Sequence, residues 1–138
     1  MSRLIIADTG PLVALFRKED AAHPWVLSRF REFTEPLVSC EAVLTETLHL
    51  LRKAPSAQFS LLTLWERDLL RIAFSAESEK HAVRRLLRRF SSVPISLADA
   101  CLVRMSELHQ HCSIWTLDSD FRVYRRSGRQ LIPLLIPD

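Results

Sequence analysis

Five short apolar runs, each four to six residues long, limit what this chain can fold into: LIIA (4–7), PLVSC (36–40), LLRIA (69–73), CSIWTL (112–117) and QLIPLL (130–135). Runs of this length without polar alternation read as strands buried on both faces, the pattern of a parallel sheet. Parallel neighbours need a crossover between them. The intervening segments supply it, with helical spacing from Gly10–Pro11 onward and over 23–33, 41–53, 56–66, 77–90 and 96–109. Pro11 and Pro24 suit first helical turns, and the Ala54–Pro55 step stops the third helix. A further short helix, closed by Gly128, is expected over DSDFRVYRRSG (118–128). The predicted architecture is α/β with a parallel central sheet of about five strands, built by residues 1–138 as one domain.

Two glycines in 138 residues leave no room for a GxGxxG or Walker loop, so a dinucleotide or P-loop nucleotide site is excluded. Hydrophobic residues at 48% and charged residues at 25% support an ordinary packed core. No apolar run approaches the ~20 residues that span a bilayer. Asp8 interrupts the only N-terminal apolar run, so neither a membrane span nor a secretory signal is expected. Cys40, Cys101 and Cys112 are odd in number and widely spaced. They form no disulfide framework and no zinc pair, which fits a reducing cytoplasm. Net charge is +3, and sixteen of the nineteen basic residues are arginine, whose fork matches phosphate oxygens in a way lysine cannot. They concentrate in VRRLLRRF (83–90), with Arg84, Arg85, Arg88 and Arg89 on one helix face, and in FRVYRRSGR (121–129). These clusters read either as a solvated face with a basic end or as a phosphate-binding rim.

The acids that sit beside apolar sequence point to chemistry. Asp8 ends the first strand; Glu46 lies mid-helix with Ala42, Val43 and Leu50 at helical spacing, so it is expected on their inward face. Asp99 falls in the first turn after Ser96, and Asp118 and Asp120 follow the fourth strand. In a parallel sheet such positions gather at the carboxyl edge of the strands. Each acid has a local alternative. Asp8 and Asp118 suit helix caps, and Ser96–Asp99 matches a capping box. Capping does not explain why all of them fall at one edge. Clustered carboxylates repel one another unless a cation intervenes, and an all-oxygen set selects hard ions such as Mg²⁺ or Mn²⁺. Thr9 and Thr116 place hydroxyls on either side of that edge.

At these residues the chain resembles the PIN-domain ribonucleases, in particular the VapC-type toxins of prokaryotic toxin–antitoxin pairs. Four blocks carry the resemblance in order: IIADTGPLVALF (5–16) with Asp8, VSCEAVLTETLHLL (38–51) with Glu46, ISLADACLV (95–103) with Asp99, and IWTLDSDF (114–121) with Thr116, Asp118 and Asp120. The resemblance implies a three-layer α/β/α fold and a metal-dependent endoribonuclease. Asp8, Glu46, Asp99, Asp118 and Thr116 would be its catalytic residues, with Asp8, Glu46, Asp99, Asp118 and Asp120 as ligands for Mg²⁺ or Mn²⁺. It also implies an RNA substrate, a small antitoxin partner and a homodimer. Thr9 departs from the pattern, since many members carry serine or another polar residue there.

Competing readings are weaker. A haloacid-dehalogenase phosphatase needs a second aspartate where Gly10 stands. A receiver domain needs an acidic pair before the first strand's end and a lysine near the last strand, and the only lysines are Lys18, Lys53 and Lys80. His109, His111 and Cys112 are spaced wrongly for one helix face, and Trp115 falls within a predicted strand and so in the core. A non-catalytic RNA- or protein-binding PIN module is the alternative in a different class.

Overall fold

The computed structural model describes residues 3–138. In chain order the elements are β1 (Leu4–Ala7), α1 (Thr9–Leu15), α2 (His23–Glu32), β2 (Leu37–Ser39), α3 (Glu41–Leu50), α4 (Pro55–Glu66), β3 (Leu70–Ile72), α5 (Lys80–Arg89) and α6 (Leu97–Leu108). There follow β4 (Cys112–Trp115), a 3₁₀ turn (Ser119–Arg122), β5 (Arg125–Arg126), β6 (Gln130–Leu131) and β7 (Leu134–Leu135). Five strands form one parallel sheet in the order β3-β2-β1-β4-β7, and helices cover it to give three α/β/α layers.

The expected parallel sheet is therefore present, and its strands are buried as their apolar runs require. Ile6, Leu37, Leu70, Ile114 and Trp115 are among the most deeply buried side chains. Each amphipathic helix turns its apolar stripe inward: α5 buries Ala82, Val83 and Leu86 while its four arginines stay exposed. On α3 the stripe runs through Val43, Leu44 and Thr47.

Two expectations at the C-terminal end are corrected. Residues 118–128 do not form one short helix. A single 3₁₀ turn covers Ser119–Arg122, and Arg125–Arg126 then pairs antiparallel with Gln130–Leu131. Gly128 has φ +91° and Ser127 φ +48°, so the glycine makes the turn of a hairpin rather than a helix stop. Nor is 130–135 one strand. Pro133 has no N–H for a ladder and separates β6, in the hairpin, from β7, at the sheet edge. Its carbonyl still accepts from Ile114 N at 2.9 Å.

The sheet order matters for function. The chain moves from β1 outward through β2 and β3, then returns to lay β4 on the other side of β1. The β1–β4 junction is thus the switch point, where the following segments diverge and leave a crevice at the carboxyl ends of the strands.

Candidate active site

Asp8 is the first residue beyond β1, and Thr116 the first beyond β4. The register pairs Ala7 with Trp115, and Asp8 N donates to Trp115 O at 2.9 Å. The two side chains therefore meet directly: Thr116 Oγ1 donates to Asp8 Oδ2 at 2.7 Å, and Thr9 N donates to Asp8 Oδ1 at 2.7 Å. Thr116 Oγ1 in turn accepts from Asp118 N at 2.9 Å, which fixes the turn carrying the next acid. Gly10 helps close this corner. A Cβ there would lie 3.3 Å from Leu117 Cβ, so its absence lets α1 approach the chain just before Asp118.

Asp8, Thr9, Glu46, Asp99 and Asp118 line one cleft of about 500 Å³, and Asp20 joins them. A groove of about 580 Å³ lies at the opposite sheet edge, lined by Arg3, Glu35, Arg71, His109 and His111 and carrying no cluster of acids. The four acids nominated from sequence thus share a cleft, though not all as expected. Glu46 is not on the inward face of α3. It is exposed, on the flank of the Val43–Leu44–Thr47 stripe, and looks onto the cleft beside Leu50, itself 42% exposed. Asp120 is half-buried and does not line the cleft.

The capping readings also hold. Asp8 caps α1, Ser96 and Asp99 form a reciprocal capping box with distances of 3.0 and 3.1 Å, and Asp118 caps the 3₁₀ turn through Asp120 N at 2.9 Å. Capping and clustering are therefore not alternatives, because the same backbone N–H groups that are capped orient the carboxylates. Among the described residues, no three His, Cys, Asp or Glu side chains stand close enough to form a metal site as they are. Asp8, Asp99 and Asp118 each engage an oxygen with the backbone.

Asp8 is 7% exposed, and burial pushes its carboxyl up to about 6. The bonds from Thr116 and Thr9 oppose that rise, and the charges of Asp99 and Asp118 add to it. Burial also raises Asp99, with Asp118 and Asp120 contributing. An environment that disfavours each negative charge is one that a cation would reverse. Thr9 Oγ1 is buried at the cleft without a hydrogen-bond partner among the described residues, leaving an oxygen available to a ligand there. The oxygen donors lining the cleft are of the kind a hard divalent cation takes.

Thr116→Val is expected to destabilise the protein by about 1–3 kcal/mol, because it leaves Asp8 Oδ2 and Asp118 N without their partner. It should also move the Asp8 titration further upward, since the lost bond favoured the charged form. Denaturant melts and an NMR titration of the carboxyl would check both.

Sequence reasoning misses two residues. Asp20 follows α1 in a polar stretch and accepts from Ala22 N at 2.9 Å, so it reads as a turn residue. Tyr124 is hidden within the expected helix. It is fully buried, packs edge-on against Phe90 and Phe121 at 5.4 Å each, and donates to Pro94 O at 2.5 Å. Its hydroxyl also lies 3.5 Å from Asp99 Oδ2, and burial with the nearby acids raises its pKa.

The comparisons with known proteins bear on the fold and the family. No curated protein matches the chain significantly. Among solved structures, the chain is similar to VapC20 of Mycobacterium tuberculosis, a sarcin–ricin-loop-cleaving toxin. The TM-score is 0.73 over 93% of this chain and 98% of that one, at 21% identity, which establishes a shared fold. The family model for the PIN domain matches residues 5–127, a span that contains every residue of the cleft named above. By that match, the chain belongs to the PIN-domain family.

Proposed function

We propose that this protein is a divalent-metal-dependent endoribonuclease, the toxin of a type II toxin–antitoxin pair, hydrolysing RNA phosphodiester bonds in the acidic cleft. Asp8 carries the reading: a buried carboxylate, held by two 2.7 Å hydrogen bonds at the switch point, facing three further carboxylates. Membership of the PIN family and the shared fold with a ribonuclease toxin support it.

Asp8, Glu46, Asp99 and Asp118 would hold Mg²⁺ or Mn²⁺, with Asp120 behind them as a further acid. A divalent ion there supplies activation of water and neutralisation of charge on the phosphate. The chain's own residues do the positioning. Thr116 keeps Asp8 in one orientation and ties it to the Asp118 turn. The Thr9 hydroxyl lies buried at the cleft wall with no partner among the described residues. Tyr124 backs Asp99 and shuts bulk water out from behind it. A small antitoxin and a second copy of the chain are the proposed protein partners.

The test is cleavage of a labelled single-stranded RNA with Mg²⁺ or Mn²⁺, run beside EDTA and Asp8→Asn controls purified identically. Cutting that disappears in both controls is the expected result. Equal cutting by wild type and variant would expose a contaminating nuclease and remove the support for the enzyme. Absence of cutting with every metal would favour a non-catalytic binding module.

A further inference from the structure

We propose that the exposed arginine face of α5, continued by Arg122 and Arg129, is a track for the phosphate backbone that binds RNA beyond the nucleotides held at the cleft. The identity of the polyanion as RNA rests on the ribonuclease reading above. The track itself rests on which arginines are already engaged and which are not.

Several arginines serve the fold. Arg104 lies between Glu79 and Glu107 at 2.6 and 3.1 Å, Arg125 donates to the carbonyls of Arg122, Val123 and Tyr124, and Arg126 donates to Ser106 O at 2.8 Å. Arg84, Arg85, Arg88, Arg122 and Arg129 differ. All five are exposed, and none has a side-chain hydrogen-bond or ion-pair partner among the described residues. No acidic residue occurs between Glu79 and Asp99, nor between Asp120 and Asp138.

A merely solvated helix face mixes signs, because like charges at i, i+4 destabilise the helix. Here Arg84 faces Arg88 and Arg85 faces Arg89 with no carboxylate on the helix, and Glu107 of α6, which borders Arg85 and Arg89, is engaged by Arg104 and Ser127 N. That arrangement is relieved by an external polyanion, and the planar fork of arginine suits phosphate oxygens.

The neighbours of α5 place the track. α5 runs alongside α6, with Glu79 before its first turn paired to Arg104 at 2.6 Å. Just past its last turn, Phe90 packs on Tyr124 at 5.4 Å, and the Tyr124 hydroxyl lies 3.5 Å from Asp99. Phe90 and Tyr124 are buried, so they tie the last turn of α5 to Asp99 through the core, and Arg84–Arg85 lie one turn back from Arg88–Arg89, about 6 Å along the axis. Arg89 donates to Gly128 O and so joins the hairpin turn, with Arg129, to the same surface. On the outer surface Arg85 and Arg89 border Arg104, Glu107, Ser127 and Gly128, and a strand lying along α5 meets successive guanidinium groups.

The test is RNA binding in EDTA, which separates affinity from cleavage, by fluorescence anisotropy across a series of KCl concentrations. The probes are single strands of about 6 and about 24 nucleotides and a hairpin of similar length, with polyglutamate as an acidic-protein surrogate. Wild type should bind the two longer RNAs more tightly than the short strand. The triple variant Arg84→Ala, Arg85→Ala, Arg88→Ala should lose roughly tenfold or more on the longer RNAs. Its log–log salt slope should fall by about 2, at ~0.7 per lost phosphate contact on single strands. The short strand should bind unchanged. Alanine at exposed helical positions favours the helix, so an unchanged melting curve is expected. The corresponding triple lysine variant should keep most of the salt slope.

Longer RNAs bound by the triple variant as tightly as by wild type, with the same slope, would overturn the proposal. Loss of polyglutamate binding in that case would assign the face to an acidic protein instead. Equal loss on short and long RNA would also overturn it. A wild type that binds long RNA through α5 but cuts nothing would leave the track standing and remove the ribonuclease reading.

Discussion

Asp8→Asn should abolish cleavage and, in the same protein, raise the melting temperature at about pH 7.5. The activity loss is expected to be at least about 10²–10³-fold, the range for removing one preorganised charge-stabilising group. The stability gain follows from linkage. The Asp8 carboxyl moves from an ordinary 3.8 to about 6 in the folded protein, so the native state binds that proton more tightly than the unfolded chain. The contribution of this group to stability is therefore greatest below about pH 4 and is lost as pH rises through about 6. Above that, wild type carries a buried negative charge that asparagine lacks. Two units correspond to about 3 kcal/mol as a ceiling, reduced because the amide must re-form its bonds with Thr9 N and Thr116. Melts of both proteins in EDTA between about pH 4 and pH 8 should show a gap that opens with pH and closes near pH 4. A gap independent of pH would contradict the desolvation argument. Added Mg²⁺ or Mn²⁺ should raise the wild-type melting temperature alone, with an effect that fades below about pH 6 as protons compete for Asp8.

Trp115→Ala should be the most damaging single substitution for the fold, at about 3–5 kcal/mol. Trp115 is 0% exposed, ends β4 and stands edge-on to Phe33 with ring centroids 5.0 Å apart. Against a typical total of about 5–15 kcal/mol for a domain, that loss threatens folding near body temperature. The cavity would lie beside the site, since the Trp115 main-chain carbonyl, which alanine retains, accepts from Asp8 N. Trp115→Phe should cost far less. It keeps most of the buried ring, and it removes Nε1, which is buried without a hydrogen-bond partner among the described residues. Chemical denaturation of the two variants should separate them by about 2 kcal/mol or more; near-equal losses would mean that the indole's extra area, rather than a packed ring, holds Phe33.

Much of this arrangement is legible in the order of the residues. The parallel sheet follows from apolar runs without polar alternation, since a strand buried on both faces leaves no other pattern. Trp115 reads as core for the same reason. Asp8, Asp99 and Asp118 are legible because each directly follows a strand or opens a helix, and topology brings those positions to one edge. Glu46 reaches the expected cleft by a different route. Its apolar neighbours at helical spacing suggest an inward face, yet the stripe that packs is Val43–Leu44–Thr47 and the glutamate lies on its flank. The segment after Asp118 misleads because a run of polar and aromatic residues ending in glycine suits a helix stop as well as a hairpin turn.

The sequence by itself determined the element types, the parallel pairing and the acids that reach the carboxyl edge, because those depend on local period and on positions relative to strands. Only the tertiary structure decided how the acids are held. The Thr116–Asp8 bond spans 108 positions, Asp20 enters the cleft through the return of the chain after α1, and Tyr124 backs Asp99 from the link between the 3₁₀ turn and β5, where the sequence suggests a helix. Burial, and with it the raised carboxyl of Asp8, arises from contacts between segments far apart in the chain, which local sequence does not encode.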